Sequence, residues 1–114
     1  RVELRCPDPA ANPYLVLAVC LEAGLDGIRN QITPPDAVTE NVFEMQLQQR
    51  AKLGIESLPG DLEQAVEELE KDDYIKNVLG GHITEKYLEA KRAEWADYRA
   101  QVTEWEIEKY LYKI

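Results

Sequence analysis

The chain has 114 residues, 45% of them hydrophobic and 31% charged, with a formal net charge of −9. That length holds one domain at most, and the balance is that of a soluble globular chain. The acidity argues against a general nucleic-acid or anionic-membrane binder, because the basic residues are scattered and form no phosphate-tracking stripe.

The opening, Arg1-Val2-Glu3-Leu4-Arg5, reads as a strand. Side chains alternate across a strand, so Arg1, Glu3 and Arg5 share one face, roughly 6–7 Å apart, and Val2 and Leu4 share the other. A carboxylate can hold Mg²⁺ or Mn²⁺ through oxygen, and arginines clamp phosphate or carboxylate with paired hydrogen bonds. Together they suit phosphoryl transfer, which is mostly positioning and charge neutralisation. The same alternation also describes a surface strand whose charges are simply solvated. A strand here needs partners for its backbone groups, so the sequence reads as a fragment of a larger protein.

Pro7 and Pro9 end the strand. Asn12-Pro13 then starts a helix, with Asn as N-cap and Pro in the first turn. This helix runs from Asn12 to about Asn30. Tyr14 to Leu21 is apolar all round, which predicts a central helix buried on most sides, with Leu25 and Ile28 inward further along. This is the longest apolar run, and it is too short to span a membrane. No secretory signal pattern is visible. Cys6 and Cys20 lack metal-ligand spacing and read as buried free thiols, which fits a reducing cytosol.

Thr33-Pro34-Pro35-Asp36 breaks the chain, and residues 33–45 read as a loop. A short polar helix from Gln46 to Leu53 stops at Gly54. Asp61 caps the next helix with Gln64 as its capping-box partner. Leu62, Ala65, Val66 and Leu69 form its inner stripe, and Glu63, Glu67, Glu68 and Glu70 form a solvated face. A short helix from Asp73 ends at Gly80-Gly81. His82, the only histidine, has no companion that would make it a metal site, and a turn or cap role is expected. Thr84 is expected to cap the next helix, to about Ala100, within a helical region spanning 61–102. Thr103 and Glu106 make a capping box for a last helix over 103–114. There Ile107, Tyr110, Leu111 and Ile114 fall at helical spacing, with Trp105 and Tyr112 on another side. An apolar, aromatic terminal helix wants a partner surface.

The run Arg-x-Glu-x-Arg-x-Pro-Asp-Pro-x-x-Asn-Pro-Tyr-Leu from Arg1, followed by Ala23-Gly24-Leu25-Asp26-Gly27-Ile28, resembles the C-terminal part of bacterial and archaeal type I glutamine synthetase. The resemblance continues in register through Leu58-Pro59-Gly60, Ala90-Lys91-Arg92-x-Glu94-Trp95 and Gln101-Val102-Thr103-x-Trp105-Glu106. It covers essentially the whole chain.

The resemblance implies a mainly α fold class: the helical C-terminal part of an α+β catalytic domain, with the N-terminal strand (residues 1–6) belonging to a sheet outside the fragment. It implies that Glu3 is a metal ligand beside the nucleotide phosphates, that Arg1 contacts those phosphates, and that Arg5 engages glutamate and the transferring phosphoryl group as a catalytic residue. The implied reaction joins ammonia to glutamate through γ-glutamyl phosphate, with ATP as substrate and Mg²⁺ or Mn²⁺ as cofactor, in the cytoplasm. The parent would be two stacked hexameric rings, a dodecamer, held by the C-terminal helix through Trp105, Tyr110, Leu111 and Ile114. The fragment alone is expected to be inactive. Some relatives adenylylate a loop tyrosine. The matching position here is Phe43, which has no hydroxyl to modify and is expected to anchor the loop on the body. Two alternatives are a related ligase using another amine and a non-catalytic helical interaction module.

Overall fold

The computed structural model describes residues 3–111. Arg1, Val2, Tyr112 and Ile114, each given a role or a place above, lie outside the described residues. Six α-helices follow one another among the described residues: α1 Pro13–Arg29, α2 Leu47–Lys52, α3 Leu62–Lys71, α4 Asp73–Leu79, α5 Gly81–Arg99 and α6 Glu104–Glu106. A π-helical turn, Ile107–Leu111, continues α6. No strand occurs among the described residues, so the chain is mainly α. The strand expected over residues 1–6 is not formed at residues 3–6, which pair with no other described segment.

Local chemistry explains where the helices start. The Asn12 side chain accepts from the N–H groups of Tyr14 and Leu15, at 3.0 and 3.3 Å, with Pro13 at the first helical position. Asp61 accepts from Gln64 N–H at 2.8 Å, and Asp72 from Ile75 N–H at 3.0 Å. These bonds satisfy N–H groups that a helix start otherwise leaves orphaned. The end of α1 is a Schellman turn: Ile32 N–H donates to Gly27 O at 2.9 Å and Gln31 N–H to Ile28 O at 3.3 Å.

The seven-residue helix α4 is the hub. It packs against α1, α3 and α5, while α3 also packs on α5. Neither α2 nor the α6–π segment packs on any other described helix. Val66 of α3 and Leu88 of α5 are buried, with Met45 under the 41–46 turn and Thr84 inside α5.

Several expectations are corrected. Thr84 does not cap α5. Gly80, at φ 78°, ends α4 and opens α5 at Gly81, so Thr84 lies within the helix and donates its hydroxyl to Lys76 O at 3.2 Å. Helix α1 is not buried on most sides: Tyr14, Leu17, Leu21 and Ile28, spaced by three, four and seven, are all exposed, Tyr14 at 82%. Its opposite face meets α4, and no described residue covers this stripe. Cys6 is exposed and Cys20 half-buried. Phe43 does not anchor the loop on the body but stands 96% exposed. Arg50 holds that turn instead, donating to Val42 O at 2.7 Å.

The total accessible surface is 10296 Å², against about 6,300 Å² for a compact 13.0 kDa monomer. The radius of gyration is 18.3 Å, against about 13 Å for a compact domain of this length. The chain is therefore open, and its amphipathic helices present apolar faces that its own described residues do not cover.

Candidate functional site

The N-terminal segment runs exposed beside a groove that it shares with α1. Leu4, Cys6 and Pro7 line a groove of about 370 Å³ with Leu15, Val16 and Val19 of α1. Asp8 then turns the chain towards the helix. Its side chain accepts from Ala10 N–H at 2.7 Å, and its carbonyl from Ala11 N–H at 3.0 Å. Glu3 and Arg5 are both exposed, Arg5 the more so.

Glu3 and Arg5 meet there. The Arg5 Nε donates to Glu3 Oε1 at 2.6 Å. An exposed ion pair of this kind contributes only about 0–1 kcal/mol to stability, so its interest is chemical. It sets a hard carboxylate beside a guanidinium fork, the one able to take a divalent cation and the other a phosphate or carboxylate. Arg1, the third residue of the expected face, lies outside the described residues.

Glu3 offers one oxygen donor of the kind that a divalent cation takes. Among the described residues no three His, Cys, Asp or Glu side chains cluster as a metal cage. Mg²⁺ and Mn²⁺ favour oxygen ligands, and this segment offers two carboxylates, Glu3 and Asp8, of which Asp8 accepts from Ala10 N–H. His82 is exposed in the first turn of α5 and does not line the groove beside the N-terminal segment.

The second candidate surface is the terminal helix. Its capping box is formed in both directions: Glu106 N–H donates to Thr103 Oγ1 at 3.2 Å, and Glu106 Oε2 accepts from Thr103 N–H at 2.8 Å. The Thr103 N–H, and after it the Thr103 hydroxyl, holds the Glu106 carboxyl below the usual glutamate range. Trp105, Tyr110 and Leu111 are all exposed; Ile114 lies outside the described residues. The α-helical stripe expected here is corrected, because Ile107–Leu111 is π-helical and brings Trp105 against Tyr110. Residues five apart do not register in an α-period reading, so the sequence pattern missed that pair. It also missed the Arg50 latch on Val42 and the Tyr74–Glu22 tie, which join residues with no periodic relation.

The family profile described as glutamine synthetase, catalytic domain, matches residues 1–110. The glutamine synthetase of Thermotoga maritima is 53% identical over 112 residues, 98% of this chain and 26% of that protein. That of Clostridium saccharobutylicum is 51% identical over 113 residues, 99% of this chain and 26% of that protein. That of Methanocaldococcus jannaschii is 51% identical over 111 residues, 97% of this chain and 24% of that protein. The chain thus spans about a quarter of the length of these curated relatives. A solved structure titled GmaS/ADP complex, conformation 1, superposes with a TM-score of 0.81 at 42% identity, over 95% of this chain and 24% of that one.

Proposed function

The chain belongs to the glutamine synthetase catalytic-domain family, and from that premise we propose that it is the C-terminal part of an ATP-dependent glutamate–ammonia ligase. The observation that carries this reading is the Glu3–Arg5 pair, set on an exposed segment beside a groove shared with α1.

In the proposed reaction the γ-phosphoryl group of ATP passes to the side-chain carboxylate of glutamate, releasing ADP. Ammonia then attacks the acyl carbon of the γ-glutamyl phosphate, phosphate leaves, and the nitrogen loses a proton. Glu3 would contribute a carboxylate oxygen to a Mg²⁺ or Mn²⁺ site completed by residues from the rest of the protein. The bound metal would neutralise phosphate charge. Arg5 would engage the glutamate substrate and the transferring phosphoryl group through its guanidinium fork, and Arg1 the nucleotide phosphates. This chain supplies part of a site and is proposed to be inactive alone.

The parent is proposed to assemble as two stacked hexameric rings, with Trp105, Tyr110, Leu111 and Ile114 docking on a subunit of the opposite ring. The exposure of the first three, and the lack of any other described helix against them, supports this. No helix among the described residues is long and apolar enough to cross a membrane, and a cytoplasmic location is proposed.

A second reading keeps the family and changes the amine. The solved relative at 42% identity, titled GmaS, leaves room for it. The deciding experiment is ammonia-dependent γ-glutamyl transfer by the full-length parent, wild type against Glu3→Ala, with Mg²⁺ and ATP titrated. The ligase reading expects activity lost and metal dependence weakened in the variant. Unchanged activity removes Glu3 from the site. A wild type that accepts another amine but not ammonia selects the second reading; one inactive with every amine points to a non-catalytic helical module.

A further inference from the structure

Tyr87, Lys91 and Glu94 share one side of α5, at spacings of four and three. Tyr87 lines the groove beside Leu4, Cys6 and Pro7 of the N-terminal segment. The Lys91 ammonium stands 5.8 Å from the centroid of the Tyr87 ring, within cation–π range, and pairs with Glu94. Only 30% of the Lys91 side chain is exposed, against 59% for Lys86, which makes the same kind of pair with Glu89 earlier on the helix. The Glu94 hydrogen bond, and after it the charges of Glu94, Tyr87 and Asp8, hold the Lys91 proton above the ordinary value of 10.5, against the burial that lowers it. Of these groups only Asp8 lies outside α5.

Asp8 belongs to the turn that leads from Arg5 into α1. Its side chain accepts from Ala10 N–H at 2.7 Å and its carbonyl from Ala11 N–H at 3.0 Å. Pro7 and Pro9 fix φ on either side of it. A displacement of Asp8 is therefore carried to Arg5 and Glu3 with few torsions to absorb it. Residues 3–6 pair with no other described segment, so no ladder among the described residues fixes them. Resting on the ligase reading above, we propose that Lys91 is a positioning residue for the Glu3–Arg5 site: held over Tyr87 by Glu94, its ammonium attracts the Asp8 carboxylate and sets the turn from which Glu3 and Arg5 project. An attraction between partly exposed charges adds little stability. A reacting group misplaced by about 1 Å, in contrast, can lose about a hundredfold in rate. The role should therefore show in kinetics and not in melting.

The test uses the full-length parent, with γ-glutamyl transfer measured as Mg²⁺ is titrated and a thermal melt for each variant. Lys91→Met keeps the stem along Tyr87 and removes the charge. Asp8→Asn keeps the acceptor for Ala10 N–H and removes the charge. Each is expected to lower kcat by about tenfold and to raise the half-saturating Mg²⁺ concentration by about threefold, with the melt unchanged. The double variant should be no worse than the poorer single one, because both remove one interaction. Lys91→Arg, which keeps a cation, and Lys86→Ala are expected within about twofold of wild type. A Lys91→Met enzyme as active as Lys86→Ala, losses that multiply in the double variant, or a melt that falls together with activity overturns the positioning role. Where Glu3→Ala is still impaired, each of these outcomes leaves the ligase reading standing. A Glu3→Ala enzyme equal to wild type overturns that reading, and the positioning role with it.

Discussion

The Tyr74 hydroxyl donates to the main-chain carbonyl of Glu22 at 3.0 Å, joining α4 to the middle of α1. The Glu22 carboxylate in turn pairs with Arg29 at 3.1 Å. Burial, and then the neighbouring Asp26 and Glu22 carboxylates, push the Tyr74 phenol above its ordinary value of 10.0. A folded-state pKa raised above the unfolded one gives stability that is complete below pH 10 and lost as pH rises through the raised value. Tyr74→Phe keeps the ring and deletes the donor. It is expected to lower the unfolding temperature by a few degrees, on the order expected for one hydrogen bond, and to flatten the alkaline loss. Thermal melts of both proteins between pH 8 and pH 11 check this; superimposable melts would remove the bond from any role in stability.

Gln31 closes the Schellman turn of α1 with φ 52°. The left-handed region costs a non-glycine residue about 1 kcal/mol or more, and glycine much less. Gln31→Gly is therefore expected to stabilise the chain by about 0.5–1 kcal/mol, the relief of strain exceeding the entropy that glycine adds to the unfolded state. Urea unfolding measures it. A destabilised variant would show that the Gln31 side chain contributes more than its backbone conformation costs.

These residues show what the sequence can and cannot convey. Asn12-Pro13, Asp61, and Thr103 with Glu106 are local signals, and each forms its cap, though Gln64 does not close the capping box expected of it and accepts from Gly60 N–H at 3.1 Å instead. The mainly α character followed from them and from the 3.6-residue stripe on α3, where Val66 is 6% exposed. Burial elsewhere depends on what lies opposite. Tyr14, Leu17 and Leu21 are as apolar as a core, yet no described residue covers them. Phe43 was expected on the body and points to solvent. Glu3 and Arg5 do meet, in irregular backbone and not on the strand that their alternation implies; their chemical roles come from the family resemblance, because one carboxylate and one guanidinium can serve many sites.

The Glu106 carboxyl links the terminal helix to pH. Its pKa lies below the ordinary glutamate value of 4.5, chiefly because it accepts the Thr103 N–H. A depressed folded-state pKa gives stability present above pH 4.5 and lost as pH falls through the lowered value. The cap is thus expected to open only in acid, seen as a change in the Thr103 amide resonance below pH 4.5. Glu106→Gln should keep the reciprocal bonds, since glutamine can serve in a capping box, and remove the pH dependence. Glu106→Ala should lose the cap at every pH. An acid transition that survives in Glu106→Gln would assign the titration to another group.

Arg5→Lys separates charge from geometry at the proposed site. Lysine keeps one positive charge but loses the planar fork that meets a carboxylate or phosphate with two parallel bonds. Arg5 is largely exposed in this chain, and thermal melts of the full-length parent, wild type against variant, separate any effect on folding from one on catalysis. If the guanidinium stabilises charge on the transferring phosphoryl group, kcat/KM should fall by about 10²-fold or more, the scale on which one positioned donor acts. Arg5→Ala should fall further. The metal dependence should stay at the wild-type concentration in both, in contrast to Glu3→Ala, because Arg5 is not proposed to bind the cation. Steady-state kinetics at saturating and limiting Mg²⁺ make the distinction. An Arg5→Lys enzyme within twofold of wild type would show that a point charge suffices at this position, and an Arg5→Ala enzyme equally active would take Arg5 out of the reaction.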